Sequence, residues 1–213
     1  SSVAHNVLTI DDLYHCDVWS KFRMGYKGRP NGLKTGVIES NGRQFHWAKS
    51  SHDAYAPIGV ANVTRVVASD QAEMFWICLD HLSSDAQSAA HKLDGFLHFS
   101  PDVIPSISNS GELSVRFRCS DSNENKAQFY RVGFLGVDKW ELAKSWYCPQ
   151  FGMKIDNYAV MYSVNSNRST MLGWYVCPID SGFAKVSESD PSAIEIIRLN
   201  QTTSTLPSYI DLF

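Results

Sequence analysis

The chain has 213 residues, which is enough for one large domain that buries its own core. Hydrophobic residues make up 44%, charged residues 19%, and the formal net charge is −3, which excludes a chain that is basic as a whole and binds nucleic acid through its net charge. No apolar run approaches the roughly 20 residues that a membrane-spanning helix needs, so no such helix is predicted.

The first third of the chain is predicted to be an arm followed by strands. Residues 1–32 form the predicted N-terminal arm, which includes the start of a basic, aromatic and glycine-rich segment, residues 19–34. Extended pieces rich in Val, Ile, Thr and aromatic residues follow, and turn residues bound them. These predicted strands cover 35–39, 43–48, 58–68 and 73–79.

Two short helices are predicted farther along. In the first, residues 84–93, Ser84 is placed to cap the start of the helix and Gly95 to end it in the left-handed conformation. In the second, residues 138–145, Asp138 complements the positive end of the helix dipole. Trp140, Ala143 and Lys144 add a helical spacing to this second segment.

Alternation between apolar and polar residues gives the clearest strand signal, over 112–119, where Leu113, Val115 and Phe117 share one face. Further strands are predicted at 127–137, 153–155, 158–164, 171–177 and 193–199. Short, regularly spaced strands with little helix predict an all-β fold. We interpret it as an eight-stranded antiparallel jelly-roll sandwich over residues 33–199, with two short helices and a C-terminal tail at 200–213.

This order of elements resembles the jelly-roll coat proteins of picorna-like viruses, most of all the small coat proteins of plant secoviruses, the comovirus and cheravirus relatives. In that family, helices lie between strands C and D and between strands E and F, the places of 84–93 and 138–145. The run 109–119 is similar to strand D and the run 127–135 to strand E. The resemblance implies a structural capsid protein, released from a polyprotein, that assembles with related subunits into an icosahedral shell around genomic RNA, in the virion and the host cytoplasm.

The basic and aromatic segment supplies the candidate RNA-binding residues. Lys and Arg neutralise phosphates, while aromatic rings stack on unpaired bases. The predicted RNA-facing residues are Lys21, Arg23, Lys27, Arg29, Trp19, Phe22 and Tyr26. A solvated loop with buried aromatic side chains is the alternative interpretation of the same segment.

The C-terminal tail is apolar for a chain end. An exposed apolar peptide in water is unfavourable unless it docks onto a surface, and a neighbouring subunit is the preferred partner here. The predicted subunit contacts are Leu206, Tyr209, Ile210, Leu212 and Phe213. Packing of the tail against its own domain is the alternative.

No catalytic site is predicted, and the chain is not expected to be an enzyme. Cys148, with one of the seven His residues as base, is the candidate for a cysteine hydrolase, but nothing in the sequence brings a thiol and an imidazole together. The five cysteines form no CxxC motif, so reduced thiols are predicted, with no metal site and no cofactor. They are Cys16, Cys78, Cys119, Cys148 and Cys177.

A different class of function remains open, that of a secreted jelly-roll or lectin-like module that binds carbohydrate. Three N-glycosylation sequons begin at Asn62, Asn167 and Asn200. An aromatic content of 12%, with six Trp residues, also favours this alternative. Paired cysteines would support it, whereas five free thiols would support the capsid interpretation.

Overall fold

A computed structural model describes residues 2–20, 23–25, 28–40, 43–84, 90–117, 128–180, 183–186, 194–198 and 201–206. Seventeen strands lie in this part of the chain, and its helical content is two single turns of 3-10 helix, Ser2–Ala4 and Ala56–Ile58. The prediction of an all-β chain is therefore confirmed.

The strands are numbered in chain order. They are β1 Leu8–Ile10, β2 Val18–Ser20, β3 Arg23–Met24, β4 Asn31–Ser40, β5 Arg43–His52, β6 Val60–Asp70, β7 Phe75–Ser84, β8 His91–His98, β9 Val103–Ile107, β10 Leu113–Phe117, β11 Phe129–Leu135, β12 Lys139–Tyr147, β13 Ile155–Ser166, β14 Thr170–Pro178, β15 Phe183–Val186, β16 Ile194–Arg198 and β17 Gln201–Leu206. All the pairings between neighbouring strands are antiparallel.

Two sheets carry most of the fold. The larger has eight strands in the order β4-β5-β6-β7-β14-β11-β10-β9, and the smaller has four in the order β1-β8-β13-β12. They share one cluster of buried side chains, in which Leu93 and Val160 of the smaller sheet lie with Val63, Leu113 and Leu172 of the larger. Burial of this apolar surface is the main force that holds the sandwich together.

The opposite face of the eight-stranded sheet carries a second cluster. Phe75, Ile77 and Leu79 of β7 point to this side because successive residues of a strand alternate between faces. Ala184 of β15 belongs to the same cluster, so the three-stranded sheet β15-β16-β17 contributes to covering it. The fourth sheet is the hairpin of β2 and β3.

The same glycine–tyrosine contact occurs in both large sheets. Gly95 of β8 pairs with Tyr162 of β13, and a Cβ atom on Gly95 would lie 2.1 Å from the tyrosine ring. Gly133 of β11 pairs with Tyr175 of β14, and a Cβ atom there would lie 2.2 Å from that ring. Each ring therefore fills the space that a side chain would need, which fixes glycine at these two positions.

The eight-stranded jelly roll and its two helices are not confirmed. Residues 138–145 fall in β12, which pairs with β13 along its whole length, so cross-strand hydrogen bonds override a weak helical spacing. In the first predicted helix, Ser84 ends β7, residues 91–93 belong to β8, and 85–89 lie outside the described residues. Gly95 does not end a helix but lies within β8.

The predicted division into an arm at 1–32, a domain at 33–199 and a tail at 200–213 stays a prediction. β1 lies within the four-stranded sheet, paired with β8, and Leu8 and Ile10 are buried in the core. Within the described part of the chain, neither 3-10 turn has the length and hydropathy that crossing a membrane would require.

Candidate functional site

An open groove of about 870 Å³ lies at one end of the four-stranded sheet. Four parts of the chain meet there: the N-terminal segment 4–6, the end of β8 with its following loop, the end of β12 and the start of β13. They converge because β8, β13 and β12 are neighbours in one sheet, and because β1 pairs with β8 on its other side. Residues far apart in sequence therefore line one surface.

Two hydrogen bonds to His98 hold the N-terminal segment against the groove. The backbone N–H of His98 donates to Oδ1 of Asn6 over 2.7 Å. Nε2 of the His98 ring lies 2.9 Å from the carbonyl oxygen of Val3. Because a carbonyl only accepts, Nε2 carries the proton in this bond, and Nδ1 of a neutral ring is then an acceptor.

Exposed aromatic rings give the groove its second character. Trp146 is 57% exposed and Tyr147 is 47% exposed, although most large rings of the domain are packed in its core. The ammonium of Lys154 lies 4.1 Å from the centre of the Trp146 ring, a cation–π contact. A flat apolar ring beside a positive charge offers both stacking and charge pairing to a ligand.

A second, smaller hollow of about 220 Å³ lies on the other side of the N-terminal segment. Val7 and Leu8 form one side of it, and the end of β5, residues 50–52, forms another. His15, Pro30, Arg65 and Asp80 complete its lining.

Arg65 connects this second hollow to the wall of the groove. Its Nε donates to Oδ1 of Asp80 over 2.7 Å, and its Nη2 donates to Oδ2 over 2.6 Å. Its Nη1 donates to the backbone oxygen of Asn6 over 2.5 Å. Burial alone would lower the pKa of Arg65, but the adjacent Asp80 carboxylate raises it above its usual value, so the pair stays charged.

Tyr55 lies beneath the second hollow and has a structural role. The side chain is 1% exposed, and its hydroxyl donates to the backbone oxygens of Leu13 and Leu8 at 3.1 and 3.3 Å. Burial raises the pKa of Tyr55 far above its usual value, which disfavours the phenolate. This tyrosine anchors the N-terminal strand and has no exposed surface to offer a ligand.

The described residues of the predicted RNA-facing set lie elsewhere. Trp19 is 71% exposed on the β2–β3 hairpin, and its ring packs over Gly25. Arg23 is exposed on the same hairpin, while Arg29 is exposed and its backbone N–H donates to Asp53. None of these predicted residues lines the groove or the second hollow. Lys21, Phe22, Tyr26 and Lys27 lie outside the described residues.

The predicted subunit contacts are only partly described. Leu206 is the last residue of β17 in the three-stranded sheet. Tyr209, Ile210, Leu212 and Phe213 lie outside the described part of the chain, so their role stays a prediction.

Sequence reasoning missed the residues that line the groove. His5, Asn6, His98 and Trp146 form no local motif, and only the pairing of their strands brings them together. Cys148, the candidate nucleophile, is an exposed thiol that lines the same groove. Among the described residues, no three His, Cys, Asp or Glu side chains cluster closely enough to hold a metal ion.

The class of protein follows from comparison with known families. The chain belongs to the heparinase II/III-like C-terminal family, whose model matches residues 1–175. No curated protein sequence matches the chain.

Solved structures of heparinases have a similar fold. Heparan sulfate lyase HepC from Pedobacter heparinus has a TM-score of 0.62 and 12% identity, over 96% of this chain and 30% of that chain. A heparinase III with methylated lysines has a TM-score of 0.64 and 14% identity, over 96% of this chain and 29% of that chain. At such identities the likeness shows the fold alone, and this chain spans about 30% of the length of those proteins.

The family overturns the viral interpretation. The chain is not a picorna-like coat protein, and the predicted partners, RNA and coat subunits, and the predicted locations, virion and host cytoplasm, are wrong. The resemblance rested on the order of short strands and on two helices, and 138–145, the described one of these, is a strand. Whether Trp19, Arg23 and Arg29 contact some other ligand stays a prediction.

Proposed function

We propose that this domain binds an acidic polysaccharide of the heparan sulfate type, as the C-terminal part of a polysaccharide lyase-type protein. The observation that carries the proposal is the exposed Trp146 ring with the Lys154 ammonium 4.1 Å from its centre, in a groove lined by His5 and His98. Membership of the heparinase II/III-like C-terminal family supports a carbohydrate ligand. The alternative of a carbohydrate-binding module, raised by the sequence, is thus the one we retain.

Each group in the groove has a complementary group on such a ligand. The C–H face of a sugar ring is apolar and stacks on an indole, while its carboxylate or sulfate pairs with the Lys154 ammonium. The Tyr147 hydroxyl and the Asn6 amide offer hydrogen bonds to sugar hydroxyls. Nδ1 of His98 is an acceptor because Nε2 donates to Val3.

We assign this domain to holding the polysaccharide and leave bond cleavage to the rest of a longer protein. The lyases that share the fold are proteins of which the matched part is about 30%. The buried tyrosine beneath the second hollow, Tyr55, has its hydroxyl committed to two backbone carbonyls, which supports a structural rather than catalytic role.

The test is calorimetric titration of the 213-residue chain with heparan sulfate fragments. Trp146→Ala should weaken binding about tenfold, the loss of a ring contact worth roughly 1.4 kcal/mol. Trp19→Ala removes the most exposed tryptophan outside the groove and should leave the affinity unchanged. The proposal fails if the wild-type chain does not bind, or if Trp19→Ala weakens binding while Trp146→Ala does not.

A further inference from the structure

The groove and the second hollow share one wall. Ala4, His5 and Asn6 line the groove, and the next two residues, Val7 and Leu8, line the second hollow. A ligand that leaves one depression across this wall therefore enters the other. We call the two depressions and the wall 4–8 between them the binding track.

The wall is held in place from both sides. Arg65, from the second hollow, donates to the backbone oxygen of Asn6, while the N–H of His98, from the groove, donates to the Asn6 side chain. The N–H of Phe96 also donates to the backbone oxygen of Val7 over 3.0 Å. These bonds fix the position of the two depressions relative to each other before any ligand binds, which limits the ordering cost of binding.

The second hollow is polar, and its strongest charges cancel. The Arg65 guanidinium is neutralised by Asp80, whose side chain is 1% exposed. Ser50 and Ser51 contribute hydroxyls to the lining. Burial, and next the neighbouring His15, lower the pKa of His52, so its ring is neutral near pH 7. Such a lining favours hydroxyl and amide groups over a carboxylate or sulfate.

Its size restricts the ligand further. At about 220 Å³, the second hollow is smaller than a typical ligand pocket of roughly 300–1,000 Å³. It has room for about one sugar unit, whereas the groove is about 870 Å³.

From this geometry we propose that the second hollow is a subsite for an uncharged, hydroxyl-bearing sugar unit of a polysaccharide chain that also occupies the groove. The inference rests on the proposed function. An acidic unit lies on Trp146 beside Lys154, the chain crosses the wall 4–8, and the uncharged unit enters between Pro30 and Ser50. The ligand is then a stretch of chain long enough to occupy both depressions.

Titration of the 213-residue chain with heparan sulfate fragments of increasing length tests the subsite. Affinity should rise roughly tenfold from a disaccharide to the fragment that spans both depressions, as expected when one ligand engages two linked sites, and then level off. Pro30→Phe and Ser50→Phe place a ring at the second hollow and should abolish this rise without weakening disaccharide binding. Gln44→Phe places the same ring on exposed surface at the other end of β5 and should preserve the rise.

Two outcomes overturn the subsite while leaving the proposed function standing. One is an affinity that does not depend on length while Trp146→Ala still weakens binding. The other is a rise with length that persists in both Pro30→Phe and Ser50→Phe, each shown to be folded by its circular dichroism and thermal unfolding. If no fragment binds, or if Trp146→Ala has no effect at any length, the proposed function itself is wrong.

Discussion

Asp80 accepts two hydrogen bonds from the guanidinium of Arg65, its cross-strand neighbour, at 2.7 and 2.6 Å. The pair lies on the face of β6 and β7 that turns toward the four-stranded sheet. The third donor of the same guanidinium binds the backbone oxygen of Asn6. A single arginine therefore links the interior of the sandwich to the wall of the groove.

Asp80→Asn should destabilise the domain by roughly 3 kcal/mol, the lower end of the loss seen when a buried ion pair is broken. The lower end applies because the Arg65 side chain is 32% exposed and keeps some water. Urea unfolding measures the change. Glu112→Gln is the matched control, because the Arg131–Glu112 pair is 3.8 Å long and Glu112 is exposed, so a loss below about 1 kcal/mol is expected. Equal losses in the two variants would contradict the role given to Asp80.

Gly95→Ala should cost about 1–3 kcal/mol, because its methyl group would overlap the ring of Tyr162. The cost should shrink in a Tyr162→Ala background, where the ring is absent. Unfolding free energies of the two single variants and the double variant give the coupling between the sites. Strictly additive losses would show that the ring is not what fixes glycine at this position.

Stability should fall as the pH is lowered from about 6.5 toward 3, in part because of His81. Burial lowers the pKa of His81 from its ordinary value of 6.5 to about 3. Between these two values the unfolded chain binds a proton that the folded chain does not, so acid favours unfolding. His81→Gln should flatten the pH dependence of the melting temperature between pH 4 and 6.5 compared with the wild-type chain. An unchanged slope would mean that His81 titrates normally in the folded protein.

Cys148 should be the first of the described thiols to react with a water-soluble maleimide in the native protein, because it is exposed in the groove. Cys78 should react only after unfolding, since it is buried and burial raises its pKa to about 12. Saturating heparan sulfate should slow the labelling of Cys148, and Cys148→Ser should remove the protected signal. Labelling at an unchanged rate in the presence of bound ligand would place the binding site elsewhere.

The sequence predicted the strands well where one strand carries the whole signal. The alternation of Leu113, Val115 and Phe117 marks β10, in which Leu113 and Val115 are buried. Residues 138–145 were mispredicted because their helical spacing is a local cue, whereas β12 is decided by pairing with β13, far along the chain. In β12, Trp140 packs against the core while Trp146, six residues on, lies beyond its edge. No sequence pattern distinguishes these two tryptophans.

The groove was unpredictable for the same reason. Its lining joins residues near 5, 98, 147 and 157, which come together only through the sheet order β1-β8-β13-β12. The basic and aromatic segment 19–34 drew attention because its signal is contiguous. Its described predicted residues lie outside both depressions of the binding track.

Backbone amide signals in an NMR titration of the 213-residue chain with heparan sulfate test the central claim most directly. The account predicts that signals of segment 4–6, His98 and Tyr147 shift together and saturate with one affinity. It is contradicted if those signals stay fixed while the β2–β3 hairpin shifts, or if no signal moves at saturating polysaccharide.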